Sequence, residues 1–123
     1  MQSFKDLDVW RLGHAVVLRV YRLTKGFPEQ ERFGLTSQLR RAAVSVPTNI
    51  AEGSKRQSRR NYAHFLNLAE GSLAESQYLI LLSSELEYVS REENESLQLE
   101  MARIARMLHA LRIKVRRHGK DSV

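Results

Sequence analysis

Apolar and small residues return at steps of three and four along most of this chain, the period of a helix face rather than of a strand. Between Leu7 and Lys25 the positions Val9, Gly13, Val16, Val20 and Leu23 form one stripe, broadened by Trp10, Val17 and Tyr21. Gly26 and Pro28 close it, because Gly accepts the left-handed conformation after a helix end and Pro cannot continue the ladder. A second stripe reads Leu35, Leu39, Ala42, Ala43, Val46 and Ile50, with Thr36 or Ser37 as a candidate cap and an end near Gly53. Ser58 is placed to cap a third helix that runs to about Glu87, with Tyr62, Phe65, Leu66, Ala69, Leu73 and Ile80 on one face. Ser90 and Glu93 stand in capping-box spacing and open a fourth helix. There Leu97, Met101, Ile104, Leu108, Leu111 and Val115 follow at spacings of 4, 3, 4, 3 and 4, a heptad seam suited to shallow-angle packing.

Short connections between long helices favour antiparallel neighbours, so the pattern predicts an all-α, up-down-up-down four-helix bundle. Residues 1–118 make one domain and 119–123 a frayed tail. Pro47 falls inside the second stripe, where its ring removes a backbone donor and crowds the carbonyl of Ala43. The periodicity continues to Ile50, which predicts a kink and not a break, with Ser45 and Thr48 available to the freed carbonyls. The run Leu79, Ile80, Leu81, Leu82 covers the whole circumference of the third helix, more than one bundle core needs. Leu79, Leu81 and Leu82 are therefore candidate contacts between copies of the chain.

Composition narrows the chemistry. The chain has 123 residues and no cysteine, which removes disulfides, thiolate nucleophiles and sulfur-ligated zinc. Its four histidines lie far apart in sequence, no two at helical i, i+4 spacing, and there is neither a Gly-rich phosphate loop nor a Gly-x-Ser-x-Gly elbow. Glu92, Glu93 and Glu95 suit the first turn of a helix better than a metal pair. The expectation is a protein with no catalytic residue, metal or cofactor. The longest uninterrupted apolar run, Tyr78 to Leu82, is five residues, far short of the roughly 20 a membrane-spanning helix needs. The opening segment, with Arg19 and Arg22 in its apolar stretch, does not read as a signal peptide, so the expected location is cytoplasmic.

Charge then points to a partner. The balance is 20 Lys and Arg against 14 Asp and Glu, a formal +6, but it is unevenly spread. From Glu70 to Glu100 eight glutamates face only Arg91. The excess gathers in two clusters: Arg40, Arg41, Lys55, Arg56, Arg59 and Arg60 around the second helix and the connection after it, and Arg103, Arg106, Arg112, Lys114, Arg116, Arg117 and Lys120 on the fourth helix. At 100° per residue Arg103, Arg106, Lys114 and Arg117 fall opposite the Leu97–Val115 seam as one outward stripe. Clustered Arg and Lys release condensed counterions on binding nucleic acid, so these residues form a candidate phosphate-backbone footprint with no sign of base-specific readout. The competing reading is a solvated face paired with the Glu-rich half. Tyr62 and Phe65 follow Arg59 and Arg60 and could stack on bases, although their spacing suits the core.

The segment from Gly34 to Gly53, with Arg41, Pro47, Asn49, Glu52 and Gly53, resembles the signature of the bacterial four-helix-bundle proteins encoded in intervening sequences of 23S ribosomal RNA genes. The opening Ser3-Phe-Lys-Asp-Leu-Asp-Val-Trp10 and the stretch Tyr62 to Glu75 are similar to the same family. The resemblance implies a ring-like homopentamer with a basic surface. Similar proteins accompany diversity-generating retroelements, where they bind nucleic acid and partner a reverse transcriptase. The expected function is thus a non-catalytic, self-associating binder of nucleic acid, RNA by preference. The alternative is an adaptor that docks a protein such as a reverse transcriptase. Asn49 and Glu52, with Arg41, are read as a hydrogen-bonded group that fixes the second helix or a subunit contact, with a ligand-binding role as the alternative.

Overall fold

The computed structural model describes residues 3–118, and the tail expected at 119–123 lies outside them. Four helices follow one another: α1 Asp8–Thr24, α2 Leu35–Ser54, α3 Arg59–Glu85 and α4 Arg91–His118. Short 3-10 turns at Phe4–Asp6 and Glu29–Glu31 precede α1 and α2, and no strand occurs among the described residues. Each helix packs on its neighbour in sequence, and α1 closes the bundle against α4, most extensively at α2–α3 and least at α1–α4. This is the up-down-up-down four-helix bundle that the periodicity predicts.

One continuous core joins the stripes. Val9, Val16 and Val20 of α1 meet Leu39, Val46 and Ile50 of α2, Leu66, Ala69 and Ile80 of α3, and Leu97, Met101, Ile104, Leu108 and Val115 of α4. Five of the six positions of the α4 seam are buried, and Leu111 packs against the cluster from its edge. Such burial is the dominant favourable term in folding.

Helix ends show where side chains replace missing backbone partners. Ser58 Oγ accepts from the Asn61 amide at 2.9 Å and caps α3, and Ser90 Oγ accepts from the Glu93 amide at 3.1 Å at the start of α4. The Glu93 carboxylate turns to Arg19 on α1 at 3.5 Å. Neither Thr36 nor Ser37 caps α2. Its first residue is Leu35, and Glu31 Oε1 accepts the Leu35 amide at 3.2 Å from the preceding 3-10 turn. The other oxygen of Glu31 accepts from the Tyr88 hydroxyl at 3.0 Å, tying the α1–α2 connection to the α3–α4 turn.

That turn is a Schellman motif: Tyr88 N–H donates to the Ser83 carbonyl and Glu87 N–H to the Ser84 carbonyl. Its left-handed position is Glu87, with φ of 68°. In α2 the helix runs unbroken through Pro47. Thr48 Oγ1 donates to the Val44 carbonyl at 2.8 Å, and Asn49 Nδ2 donates to the Ser45 carbonyl at 2.8 Å, beside the turn that the proline deprives of a donor.

The leucine run divides between inside and outside. Leu79 and Ile80 belong to the core, and Leu82 packs against it. Leu79 is thus satisfied within one protomer, which corrects its assignment as a contact between copies. The outward members are Leu81, 41% exposed, and its neighbour Tyr78, 59% exposed.

Candidate functional site

Antiparallel packing of α3 on α4 brings the first turns of α3 beside the last turns of α4. Arg59, Arg60, His64 and Asn67 then face Arg112 and Arg116 across a depression of about 460 Å³ that Ala63 also lines. Arg59 Nη1 donates to the Arg117 carbonyl at 3.3 Å, which ties the two walls. Beside the depression Glu70 accepts from Arg112 Nε in a half-buried ion pair, and its second oxygen lies 3.8 Å from His109 Nδ1. Glu70 offsets one guanidinium and holds it in place, leaving Arg59, Arg60 and Arg116 exposed to solvent. Convergent guanidiniums with few acids around them bind phosphate and carboxylate oxygens in two-pronged fashion.

The structure divides the first predicted cluster. Lys55 and Arg56, at the end of α2, lie beside the start of α3, and Arg56 sits over the Phe65 ring at 4.6 Å and 4.0 Å from Glu52. Arg40 and Arg41 lie about 20 Å further along α2, given a rise of about 1.5 Å per residue. Arg40 is engaged inside the protomer: its Nε donates to Thr24 Oγ1 at 2.8 Å and its guanidinium covers the Tyr21 ring at 4.7 Å. Arg41 lines a separate polar cleft between α2 and α3 of about 530 Å³, with Ser37, Gln38, Ser45, Ser72 and Glu75. On α4, Arg103, Arg106, Lys114 and Arg117 are all exposed, as the outward stripe requires. Tyr62 is buried and Phe65 half-buried beneath Arg56, so neither offers a free ring face to a base.

Asn49, Arg41 and Glu52 do not act as one group. Asn49 Nδ2 donates to Ser45 Oγ at 2.9 Å, and Ser72 Oγ donates to the same oxygen at 2.9 Å, a polar link from α2 to α3. Glu52 pairs with Arg56 instead. Gly53 is explained by packing, because a Cβ there would stand 2.8 Å from Phe65 Cβ.

A third surface is apolar. Phe4, Trp10, Val17, Val44, Pro47 and Ala51 line a groove of about 440 Å³ between α1 and α2. Trp10 stacks on His14, ring centres 5.0 Å apart, and Phe4 meets the indole edge-on at 5.0 Å. The first sequence stripe contained Trp10 and Val17 but could not separate a groove from a core, and Phe4, Val44 and Ala51 lay outside both stripes. Among the described residues no group of three or more His, Asp or Glu side chains is placed to hold a metal ion. No described helix is long and apolar enough to cross a membrane.

Residues 5–110 match the 23S rRNA-intervening sequence protein family. The chain belongs to this family. The match takes in all of α1, α2 and α3 and most of α4, and so includes Arg59, Arg60 and the Glu70 beside the depression, whereas Arg112 and Arg116 lie just beyond it. Among solved structures the chain is similar to a protein of unknown function from the S23 ribosomal protein family of Bacteroides thetaiotaomicron, at 29% identity and a TM-score of 0.78. The alignment covers 84% of this chain and 96% of that one. No curated protein matches the chain.

Proposed function

We propose that this member of the 23S rRNA-intervening sequence protein family is a non-catalytic, self-associating protein that binds nucleic acid, RNA by preference, in the cytoplasm. The observation that carries the reading is the convergence of Arg59, Arg60, Arg112 and Arg116 on one depression, with Lys55, Arg56, Lys114 and Arg117 around the same end of the bundle. A net charge of +6 concentrated in this way draws polyanions by counterion release, and assembly into a pentamer repeats the surface five times. The apolar α1–α2 groove and the exposed Tyr78 and Leu81 favour self-association, since a monomer gains nothing by exposing them.

The test is a titration of structured RNA and of duplex DNA at increasing salt. Binding whose logarithm falls linearly with log salt, with a slope of about −0.7 to −0.9 for each phosphate contacted, is the expected result. No binding at low salt, or a slope near zero, overturns the reading. The same apolar groove favours a second reading, an adaptor for a protein partner such as a reverse transcriptase. Capture of one protein at fixed stoichiometry with no nucleic acid would support it.

A further inference from the structure

The start of α3 carries two cations where the backbone dipole disfavours them. A helix N-terminus carries the positive end of the backbone dipole and favours acidic residues. α1 places Asp8 in its first turn and α4 places Glu92 and Glu93 there; α2 and α3 have no acidic residue in that turn, and α3 alone opens with two cations, Arg59 and Arg60. Those two cations sit at the pole that disfavours them, and α4 adds Arg112 and Arg116 from the opposite wall. An anion held in the depression would be met by guanidiniums from both walls at once.

The convergence of charge selects the anion. Phosphates along a strand are spaced out and suit an extended surface, whereas these guanidiniums gather on one open depression of about 460 Å³. An internal phosphodiester brings one charge and two free oxygens. A terminal phosphomonoester brings close to two charges and three acceptor oxygens at neutral pH. Guanidiniums arriving from two helices gain most from the second, since each can engage a pair of oxygens from a different side. His64 and Asn67, on the same helix face as Arg60, supply polar groups for the nucleoside attached to that phosphate.

We infer that the hollow between the start of α3 and the end of α4 captures the terminal phosphomonoester of an RNA strand, so that the protein prefers phosphorylated ends to internal backbone. The inference rests on the nucleic-acid reading above and names its ligand more narrowly.

The experiment compares single-stranded RNAs of about 12 nucleotides by fluorescence anisotropy with the intact protein. One arm carries a 5′-phosphate and one a 3′-phosphate. One ends in hydroxyls, and a last hydroxyl-ended strand is lengthened to match the charge of the phosphorylated ones. Binding about tenfold tighter for either phosphorylated strand than for the charge-matched strand is expected. Arg60→Gln and Arg116→Gln should each erase most of that preference, whereas Arg22→Gln, on the exposed surface of α1, should keep it. Circular dichroism of each variant verifies that the bundle is intact, and inorganic pyrophosphate raising the melting temperature of the unmodified protein provides a readout that needs no variant. Equal binding of all four RNAs overturns this inference and leaves the nucleic-acid reading standing. Failure of every RNA to bind overturns both.

Discussion

Gly53 of α2 lies so close to Phe65 of α3 that a Cβ added to the glycine would stand 2.8 Å from the Cβ of the phenylalanine and 3.1 Å from the Tyr62 ring. The atom in the way is the root of a side chain, which cannot swing aside without moving α3. Gly53→Ala should therefore destabilise the bundle by about 1–3 kcal/mol, the usual cost of overpacking, although Ala is the better helix former. Gly71 provides the contrast. It lies exposed in the middle of α3, and a methyl group added there would meet nothing within 4 Å, so Gly71→Ala should stabilise by about 0.5–1 kcal/mol. Opposite shifts of the urea midpoint would bear out the packing argument; shifts of the same sign would contradict it.

The Glu70–Arg112 pair couples stability to the basic depression. Replacing Glu70 with Gln leaves the Arg112 guanidinium, only 18% exposed in its side chain, without its charged partner, and should cost about 1–3 kcal/mol. The same change removes the acid that offsets Arg112, one of the guanidiniums lining the depression. Affinity for polyanions should then rise as stability falls, with the salt dependence of binding steeper or unchanged. Thermal melts and an RNA titration on the same variant read both effects, and a loss of affinity in a folded variant would argue against binding in this hollow.

How far the sequence foretold this arrangement depends on the range of the interaction. The heptad positions from Leu97 to Val115 and the capping residues Ser58 and Ser90 were legible because each is decided within a few residues by helix geometry. The basic depression was only half legible. The two clusters were visible, but charge counting joined Arg40 and Arg41 to Arg59 and Arg60, when α2 carries the first two far along the bundle axis and Thr24 and Tyr21 engage Arg40. Taking Arg103, Arg106, Lys114 and Arg117 as the outward stripe also passed over Arg112 and Arg116, which flank that stripe on the side facing α3. An antiparallel hairpin folded about the Tyr88 turn places Arg59 beside Arg117, and that register could have been drawn from the loop length alone. The double use of Glu31, capping α2 and accepting from Tyr88, had no local signal because its two partners lie in different connections.

The two perturbed tyrosines predict alkaline behaviour. The hydrogen bond to Glu31 is the main cause that raises the Tyr88 phenol above its usual value near 10, with burial and the Glu31 charge acting in the same direction. Burial alone raises Tyr62. Both folded values lie above the unfolded one, so the stability these phenols contribute is complete below about pH 10 and is lost as pH rises through their folded values. Chemical denaturation at a series of pH values should show stability falling above about pH 10, and Tyr88→Phe should make that decline shallower. An unchanged alkaline slope in the variant would show that Tyr88 ionises as freely in the fold as out of it.

Glu87 offers a gain in stability at a single backbone position. Its φ of 68° is the left-handed conformation, which is unfavourable for a residue with a Cβ and natural for glycine. Glu87→Gly should keep the Schellman bonds of Tyr88 and Glu87 to Ser83 and Ser84 and stabilise by about 0.5–1 kcal/mol. A loss of stability would mean that the Glu87 side chain makes a contribution larger than its backbone strain.

Self-association can be separated from folding because the leucine run is split between core and surface. Leu82 packs against the core, so Leu82→Glu would weaken the protomer as well as any contact between copies and would give an ambiguous result. Leu81 is 41% exposed in the single chain, and a carboxylate at that position meets water in a monomer but a desolvated neighbour in an assembly. Leu81→Glu should therefore leave helix content and melting of the protomer nearly unchanged while reducing the mass measured by light scattering, from about five protomers if the ring is pentameric. A folded variant of unchanged mass would remove Leu81 from the interface and leave the apolar α1–α2 groove, which Trp10 and Pro47 help to line, as the next surface to substitute.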